Sequence, residues 1–336
     1  MRILHLVHQY PPQYIGGTEL YTQTLARHQA MSGHCVSIVS PAPLDNKQTV
    51  NENEELGVRI FRIPLKPRTR TQVFFQSFRQ QRLNTSFQQI LDQEKPEIVH
   101  IQHLMGIPMT VVDYLEDTRT PFVVTLHDYW YVCANAQLLT NTDQKICSGP
   151  NTRFTNCAAC ALARAGWSKW EWLAPALAPL LYYRDRRLHK ILDLAQSIIV
   201  PTNFVYNTFA EMGAPVKKIR TIRHGLDLPR DSVHKVRKMR DMRGFRPPLH
   251  IGYIGGINWQ KGIHVLIDAV NRLPVDQVKL TIYGNLSSFP DYVSELRRRC
   301  HHPNILLAGP VSREQIWTAL ASFDVLVLPT LWFETS

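Results

Sequence analysis

Four segments place glycines, a cation, a histidine or a carboxylate where an apolar run gives way to a loop. The first is Pro11-Pro12-Gln13-Tyr14-Ile15-Gly16-Gly17-Thr18-Glu19. Paired glycines at the mouth of a helix let a ligand approach the backbone closely, and the free N–H groups there attract an anion. The same pair serves equally well as a structural turn, with Glu19 complementing the helix dipole. The second is Thr125-Leu126-His127-Asp128-Tyr129-Trp130, where His127 either donates a hydrogen bond to a ligand hydroxyl or is a satisfied core histidine. The third is Gly252-Tyr253-Ile254-Gly255-Gly256-Ile257-Asn258-Trp259-Gln260-Lys261-Gly262. A lysine at a helix start opposes the dipole unless an anion lies between, and a diphosphate suits that place. The G-x-x-x-x-G-K-[ST] order of a Walker loop is absent. The fourth is the run 325–328 leading into Pro329, Thr330, Trp332 and Glu334, a carboxylate at a strand's C-terminal edge or a solvated loop residue.

Four of the six cysteines form a further group in the loop 133–160. Cys157-Ala-Ala-Cys160 has the spacing of a metal knuckle, and Cys133 with Cys147 would complete a closed four-thiolate zinc site pinning the loop near His127. An iron–sulfur centre, free thiols and a redox pair stay open beside zinc. Cys35 and Cys300 read as ordinary strand and helix residues.

The elements that must position these groups alternate. Strands are expected at 3–8, 35–40, 58–63, 98–101, 122–126, 197–200 and 218–222, with amphipathic helices at 18–31 and 77–91. A charged, proline-closed connection covers 229–248. Strands at 251–254, 279–283, 305–307 and 325–328 then alternate with helices at 263–273, 292–300 and 314–322. Such alternation means βαβ units and parallel sheets covered by helices. The expected organisation is a Rossmann-like domain over 1–228, a linker over 229–248 and a second Rossmann-like domain over 249–336. A doubly wound sheet commonly has about five or six strands. The second domain is therefore expected to be incomplete.

Bulk properties narrow the classes. Hydrophobic content of 44% and charged content of 19% describe packed domains rather than disorder. No apolar run approaches the roughly 20 residues of a membrane span, and the N-terminus lacks a signal-peptide pattern, so a cytosolic protein is expected. The 38 basic against 27 acidic residues leave a formal charge of +11. Basic clusters lie beside aromatics: 62–82 holds Phe74, Phe75 and Phe78, and 184–190 follows Trp167, Trp170 and Trp172. That mixture suits an anionic membrane surface, and equally a solvated basic face over core aromatics. No nucleic-acid-binding motif is present, so a basic zinc-containing nucleic-acid-binding protein is the lesser reading.

Together these segments resemble glycosyltransferase family 4, retaining enzymes with two facing Rossmann-like domains, the GT-B fold. The resemblance runs through Gly16-Gly17-Thr18-Glu19, Gly33-His34-Cys35-Val36, Leu126-His127-Asp128 and Val200-Pro201-Thr202-Asn203-Phe204. It continues with Met212-Gly213, His224-Gly225-Leu226-Asp227, Gly255…Lys261-Gly262, Ile282-Tyr283-Gly284 and Phe323-Asp324-Val325…Glu334. It implies a hexosyltransferase taking a sugar from a nucleotide-diphosphate donor to a glycan or lipid-linked acceptor, in polysaccharide or cell-envelope synthesis. Such an enzyme needs no cofactor for catalysis and no nucleic-acid partner, and would be cytoplasmic, peripheral on the inner membrane face. Gly16 and Gly17 would approach the donor phosphates, Gly255 and Gly256 would line the same loop, and Lys261 would neutralise the diphosphate. His127 would contact the transferred sugar, and Glu334 would face the sugar hydroxyls as the first glutamate of the family's pair. The second would lie beyond Ser336, so the chain is expected to end inside its donor site, and a truncated fragment or pseudoenzyme without donor binding is the alternative. Two departures stand out: Gly256 replaces the family's arginine, and His224 replaces its asparagine.

Overall fold

A computed structural model of the chain describes residues 1–44, 49–225, 234, 238, 247–312 and 314–335. Two compact units result, Met1–Gly225 with Thr335–Ser336, and Leu226–Glu334. The expected linker at 229–248 lies outside the described residues, apart from His234, Lys238, Pro247 and Pro248. Ser336, where the chain is expected to end inside the donor site, also lies outside them.

The first unit is built on β1 (Arg2–Leu6), β2 (Cys35–Pro43), β3 (Asn51–Glu55), β4 (Val58–Leu65), β5 (Ile98–Ile101), β6 (Phe122–Thr125), β7 (Ser197–Val200) and β8 (Ile219–Thr221). Their order across the sheet is β3-β4-β2-β1-β5-β6-β7-β8. Every pairing is parallel except that of β3 with β4. Parallel neighbours need crossovers, and these are supplied by α1 (Gly17–Met31), α2 (Arg70–Gln76), α3 (Gln81–Glu94), α4 (Thr110–Asp117), α5 (Thr155–Arg164), α6 (Ala174–Leu194) and α7 (Asn203–Glu211). With both faces covered, central strands bury nearly continuous apolar runs: Leu4, Ile38, Val39, Val99, Ile101 and Val124 are fully buried.

Three elements differ from the sequence expectation. β3, Asn51-Glu52-Asn53-Glu54-Glu55, carries no apolar signal and was not expected. It is an antiparallel edge strand, held to β4 by its ladder and by Arg59–Glu52 and Arg62–Glu55 ion pairs at 2.7 and 3.2 Å. The helix expected over 77–91 begins later, as α3 (Gln81–Glu94), and a separate α2 (Arg70–Gln76) precedes it; the chain breaks between them where Ser77 turns inward, its carbonyl accepting from Met109 N–H and its hydroxyl from Gly106 N–H. Each helix has its own cap, a Thr69–Gln72 capping box for α2 and the Gln80 side chain for α3. The loop expected to be irregular over 133–160 contains the start of α5, which packs on α6 through Ala158, Ala159, Leu162, Ala174 and Ala178. Small side chains there let the two helices approach closely.

The second unit has β9 (Leu249–Ile254), β10 (Val278–Tyr283), β11 (Ile305–Gly309) and β12 (Val325–Leu326) in the order β11-β10-β9-β12, all parallel. α8 (Ile263–Val270), α9 (Pro290–Arg299) and α10 (Ile316–Ser322) connect them. Ile263, Ile267, Leu280, Ile282 and Leu296 form its core. Among the described residues no helix is long and apolar enough to cross a membrane.

Candidate functional site

Three adjacent parallel strands of the first unit, β1, β5 and β6, are each followed two residues past their last by a histidine: His8, His103 and His127. The sheet therefore gathers three imidazoles at its C-terminal edge, where open α/β sheets collect ligands. The rings of His8 and His103 lie 4.3 Å apart, and His127 has His224 at 5.3 Å and Tyr21 at 5.0 Å.

His127 is 9% exposed, and its Nε2 lies 2.8 Å from Gln102 Oε1. Gln102 donates through its amide to His5 Nδ1 at 3.1 Å, and His5 Nε2 donates to Gln29 Oε1 at 2.7 Å. One set of protons satisfies this line, with His5 and His127 neutral and each protonated on Nε2. Burial enforces neutrality, lowering His5 to about 4 and holding His127 well below the ordinary imidazole value, with His224 and His103 adding to the effect. His127 thus spends its N–H on Gln102 and offers Nδ1 as an acceptor. The expectation that His127 donates to a ligand hydroxyl is corrected on this point.

Beside this line, His103 accepts the Met105 N–H on Nδ1 at 3.0 Å and so donates from Nε2 to Asp128 Oδ2 at 3.0 Å. Glu19, 5% exposed, lies 3.7 Å from His8 Nε2. Burial raises the Glu19 carboxyl, while the N–H groups of Glu19 and Gly16 pull it back. A Cβ at Gly16 would meet Glu19 Oε2 at 2.5 Å, so glycine there makes room for this carboxylate to fold over the start of α1. A Cβ at Gly17 would meet nothing within 4 Å. His8 Nδ1 is buried and, among the described residues, has no hydrogen-bond partner. His8, His103 and Gln102 were not singled out from the sequence, although the recurrence of histidine two residues past strand ends is visible there.

In the second unit, Lys261 closes a 3₁₀ turn, Trp259–Lys261, immediately before Gly262, the N-cap of α8. Its Nζ lies 2.7 Å from Glu334 Oε1 and 5.3 Å from the centroid of Trp332. The same Oε1 accepts from Thr330 Oγ1 at 3.0 Å and Trp332 Nε1 at 2.9 Å. The segment 329–334 closes on the turn because Leu331 N–H donates to Gln260 O at 2.8 Å. Gly262, at φ +68°, makes that closure possible: a Cβ there would stand 1.9 Å from the Pro329 carbonyl oxygen. Gly255 and Gly256 form the preceding loop, held by Tyr253 donating to the Gly256 carbonyl at 2.8 Å. Sequence-selected Gly255, Gly256, Lys261 and Glu334 thus come together in one unit, and Gly16, Gly17 and His127 in the other.

The cysteines take a different form from the expected one. Cys157 and Cys160 are one helical turn apart on α5, whereas Cys133 and Cys147 lie outside helices and strands. All four thiols are free and line one pocket of the first unit. Burial, then Cys133, Cys147 and Cys160, pushes Cys157 up to about 12. Among the described residues no group of three or more His, Cys, Asp or Glu side chains is disposed to hold a metal ion. The expected closed zinc site finds no such ligand set.

Two parallel-sheet α/β units, each with its candidate residues at the C-terminal strand edge, define the architecture of GT-B glycosyltransferases. The chain belongs to Glycosyltransferase Family 4, whose model matches residues 15–230, and a "Glycosyl transferases group 1" model matches residues 248–336. Uncharacterized glycosyltransferase MJ1607 of Methanocaldococcus jannaschii is 21% identical over 99% of this chain and 75% of its own length. An uncharacterized 42.6 kDa protein in the cps region of Klebsiella pneumoniae is 26% identical over 42% of this chain, a match spanning 40% of that protein. Among solved structures, sucrose-phosphate synthase of Thermosynechococcus elongatus aligns with a TM-score of 0.68 at 16% identity, over 99% of this chain and 76% of that one. Anabaena HepE in complex with UDP and glucose aligns at 0.57 and 16% identity, over 97% and 73%.

Proposed function

We propose that the chain transfers a sugar from a nucleotide-diphosphate sugar to a hydroxyl of a glycan or lipid-linked acceptor, with retention at the anomeric carbon. The observation that carries this is the Lys261–Glu334 pair at the start of α8, bordered by Trp332 and Thr330. A helix N-terminus and an ammonium side by side make a site for a diphosphate, whose charge grows as the bond to the sugar breaks. Glu334 then exchanges its lysine partner for sugar hydroxyls. In the first unit His127 Nδ1 accepts from a hydroxyl of the transferred sugar, and the backbone at Gly16 and Gly17 borders the phosphates.

Retention follows when the acceptor attacks from the face the diphosphate leaves. A leaving phosphate oxygen takes the acceptor proton, and the protein supplies position and electrostatic stabilisation. HepE is known in complex with UDP and glucose, and a relative lies in a cps region, which supports a nucleotide-sugar donor and an envelope polysaccharide role. Exposed Trp167, Trp170 and Trp172 near basic residues support peripheral attachment to a membrane. Proton NMR of the earliest product tests the stereochemistry: the donor's anomeric configuration is expected in the product, and inversion would contradict the reading.

A further inference from the structure

The first unit contains a cavity of about 800 Å³ that the transfer chemistry above leaves unused. Val73, Phe74, Leu139, Leu162, Leu173 and Leu177 make its wall largely apolar. Protein interiors of this kind are ordinarily filled by side chains, so an apolar space of this size is suited to a ligand. His8, from the histidine edge, stands in the same lining and gives the cavity a polar end.

The charge of the lining is one-sided. Arg68, Arg70 and Arg164 face a single carboxylate, Glu171. Arg68 donates to the Gly106 carbonyl at 3.0 Å and to Gln76 Oε1 at 3.1 Å, and Arg164 donates to the Asn135 carbonyl at 2.8 Å. Among the described residues neither has a carboxylate within ion-pair distance. Burial disfavours the charge of both guanidiniums. Partly desolvated cations left without a counter-charge are costly, and an anion lying between them offsets that cost.

The cavity also reaches the surface among aromatics. Phe75 and Trp167 line it and are 51% and 54% exposed. Trp170 and Trp172, exposed and with ring centroids 6.0 Å apart, follow Trp167 in the chain, and exposed Tyr183 on α6 stacks on Phe78 at 6.0 Å. Exposed amphipathic rings around an apolar opening suit entry from a lipid interface.

We infer that this cavity binds an anionic amphiphile, its apolar chain among the leucines and its phosphate-like head held by Arg68 and Arg164 toward His8. The inference rests on the transferase reading only in making that amphiphile the acceptor; the binding itself stands apart from it.

Cys133 and Cys147 in the lining report occupancy, since a bound chain shields them from alkylation. The probe is dodecyl phosphate below its micelle concentration, with N-ethylmaleimide labelling of each cysteine read by peptide mass. Labelling of Cys133 and Cys147 is expected to slow by about tenfold or more, while exposed Cys35 labels as before. Inorganic phosphate is expected to protect neither. Dodecyl maltoside is expected to protect much less than dodecyl phosphate, and the double variant Arg68→Gln/Arg164→Gln to remove the difference between them. Ala161→Trp fills the cavity and should abolish protection; Thr71→Trp, at an exposed lining position, repeats the test without loading the core. No protection by dodecyl phosphate, equal protection by inorganic phosphate or by dodecyl maltoside, or protection undiminished in both tryptophan variants would overturn the inference. No sugar donor enters this assay, so its failure leaves the transferase reading standing, and failure of the donor tests leaves this one standing.

Discussion

The two edges proposed to carry the chemistry are held by opposite means. In the first unit His5, Gln29, Gln102 and His127 are joined side chain to side chain, with His5 and Gln102 fully buried; burial keeps the imidazoles neutral and the hydrogen-bond partners fix which nitrogens carry protons. In the second, Lys261 and Glu334 keep 28% and 33% of their side-chain surface and hold one another by charge. A buried neutral line is rigid and sets geometry before any ligand arrives. A half-exposed ion pair is cheap to part, so it can hand each member to a ligand group of opposite character. Under the proposed function, the contrast suits the first edge to orientation and the second to charge stabilisation.

The comparison breaks most readily at its charged side. Replacing Lys261 by alanine removes the cation expected to meet the diphosphate, and kcat should fall by about 10²–10³, worth about 3–4 kcal/mol of barrier. Near-normal steady-state turnover would take Lys261 out of this role. On the buried side, Gln102→Leu leaves His5 Nδ1 and His127 Nε2 without partners. It should cost about 2–4 kcal/mol of stability, read from denaturant midpoints, because buried polar groups are left unsatisfied.

A third prediction sharpens the contrast through pH. His5 in the folded chain titrates at about 4, below the unfolded value of about 6.5, and His8, His100 and His127 are likewise lowered by burial. Between those values the unfolded chain binds protons that the folded chain refuses. Stability from this source is complete above about pH 6.5 and is lost as pH falls toward about 4, by up to about 1.4 kcal/mol per pH unit for each group. His5→Gln should flatten the slope measured by denaturant titration from pH 7 to pH 5. The smallest effect is expected at the ion pair: Glu334→Gln should change stability by about 1 kcal/mol or less, and added salt should shrink even that.

Much of this organisation is legible in the residues. The largely β-branched runs at 98–101 and 197–200 match β5 and β7 residue for residue, because parallel strands covered on both faces are mostly apolar. Lys261 after its glycine loop and Glu334 are each readable as candidate site residues, but their pairing at 2.7 Å is seen only in the structure. Other features depend on contacts remote in sequence. Asn51–Glu55 pairs as a strand against β4, where Arg59 and Arg62 form ion pairs with Glu52 and Glu55. Gln102 becomes a site residue only when β1 and β6 flank β5 and bring His5 and His127 to its two ends. The Cys157-Ala-Ala-Cys160 spacing means a knuckle in a loop, and on a helix it becomes one wall of a cavity.

The central claim, that the Lys261–Glu334 edge takes a nucleotide-sugar diphosphate, is tested most directly by thermal unfolding with a panel of UDP-, ADP- and GDP-sugars and free nucleoside diphosphates. At least one should raise the midpoint of the wild-type chain, since ligand at about 100 times its Kd stabilises by about 2.7 kcal/mol, and Lys261→Ala should lose most of that rise. No rise with any member of the panel, or an equal rise in the variant, would contradict the account.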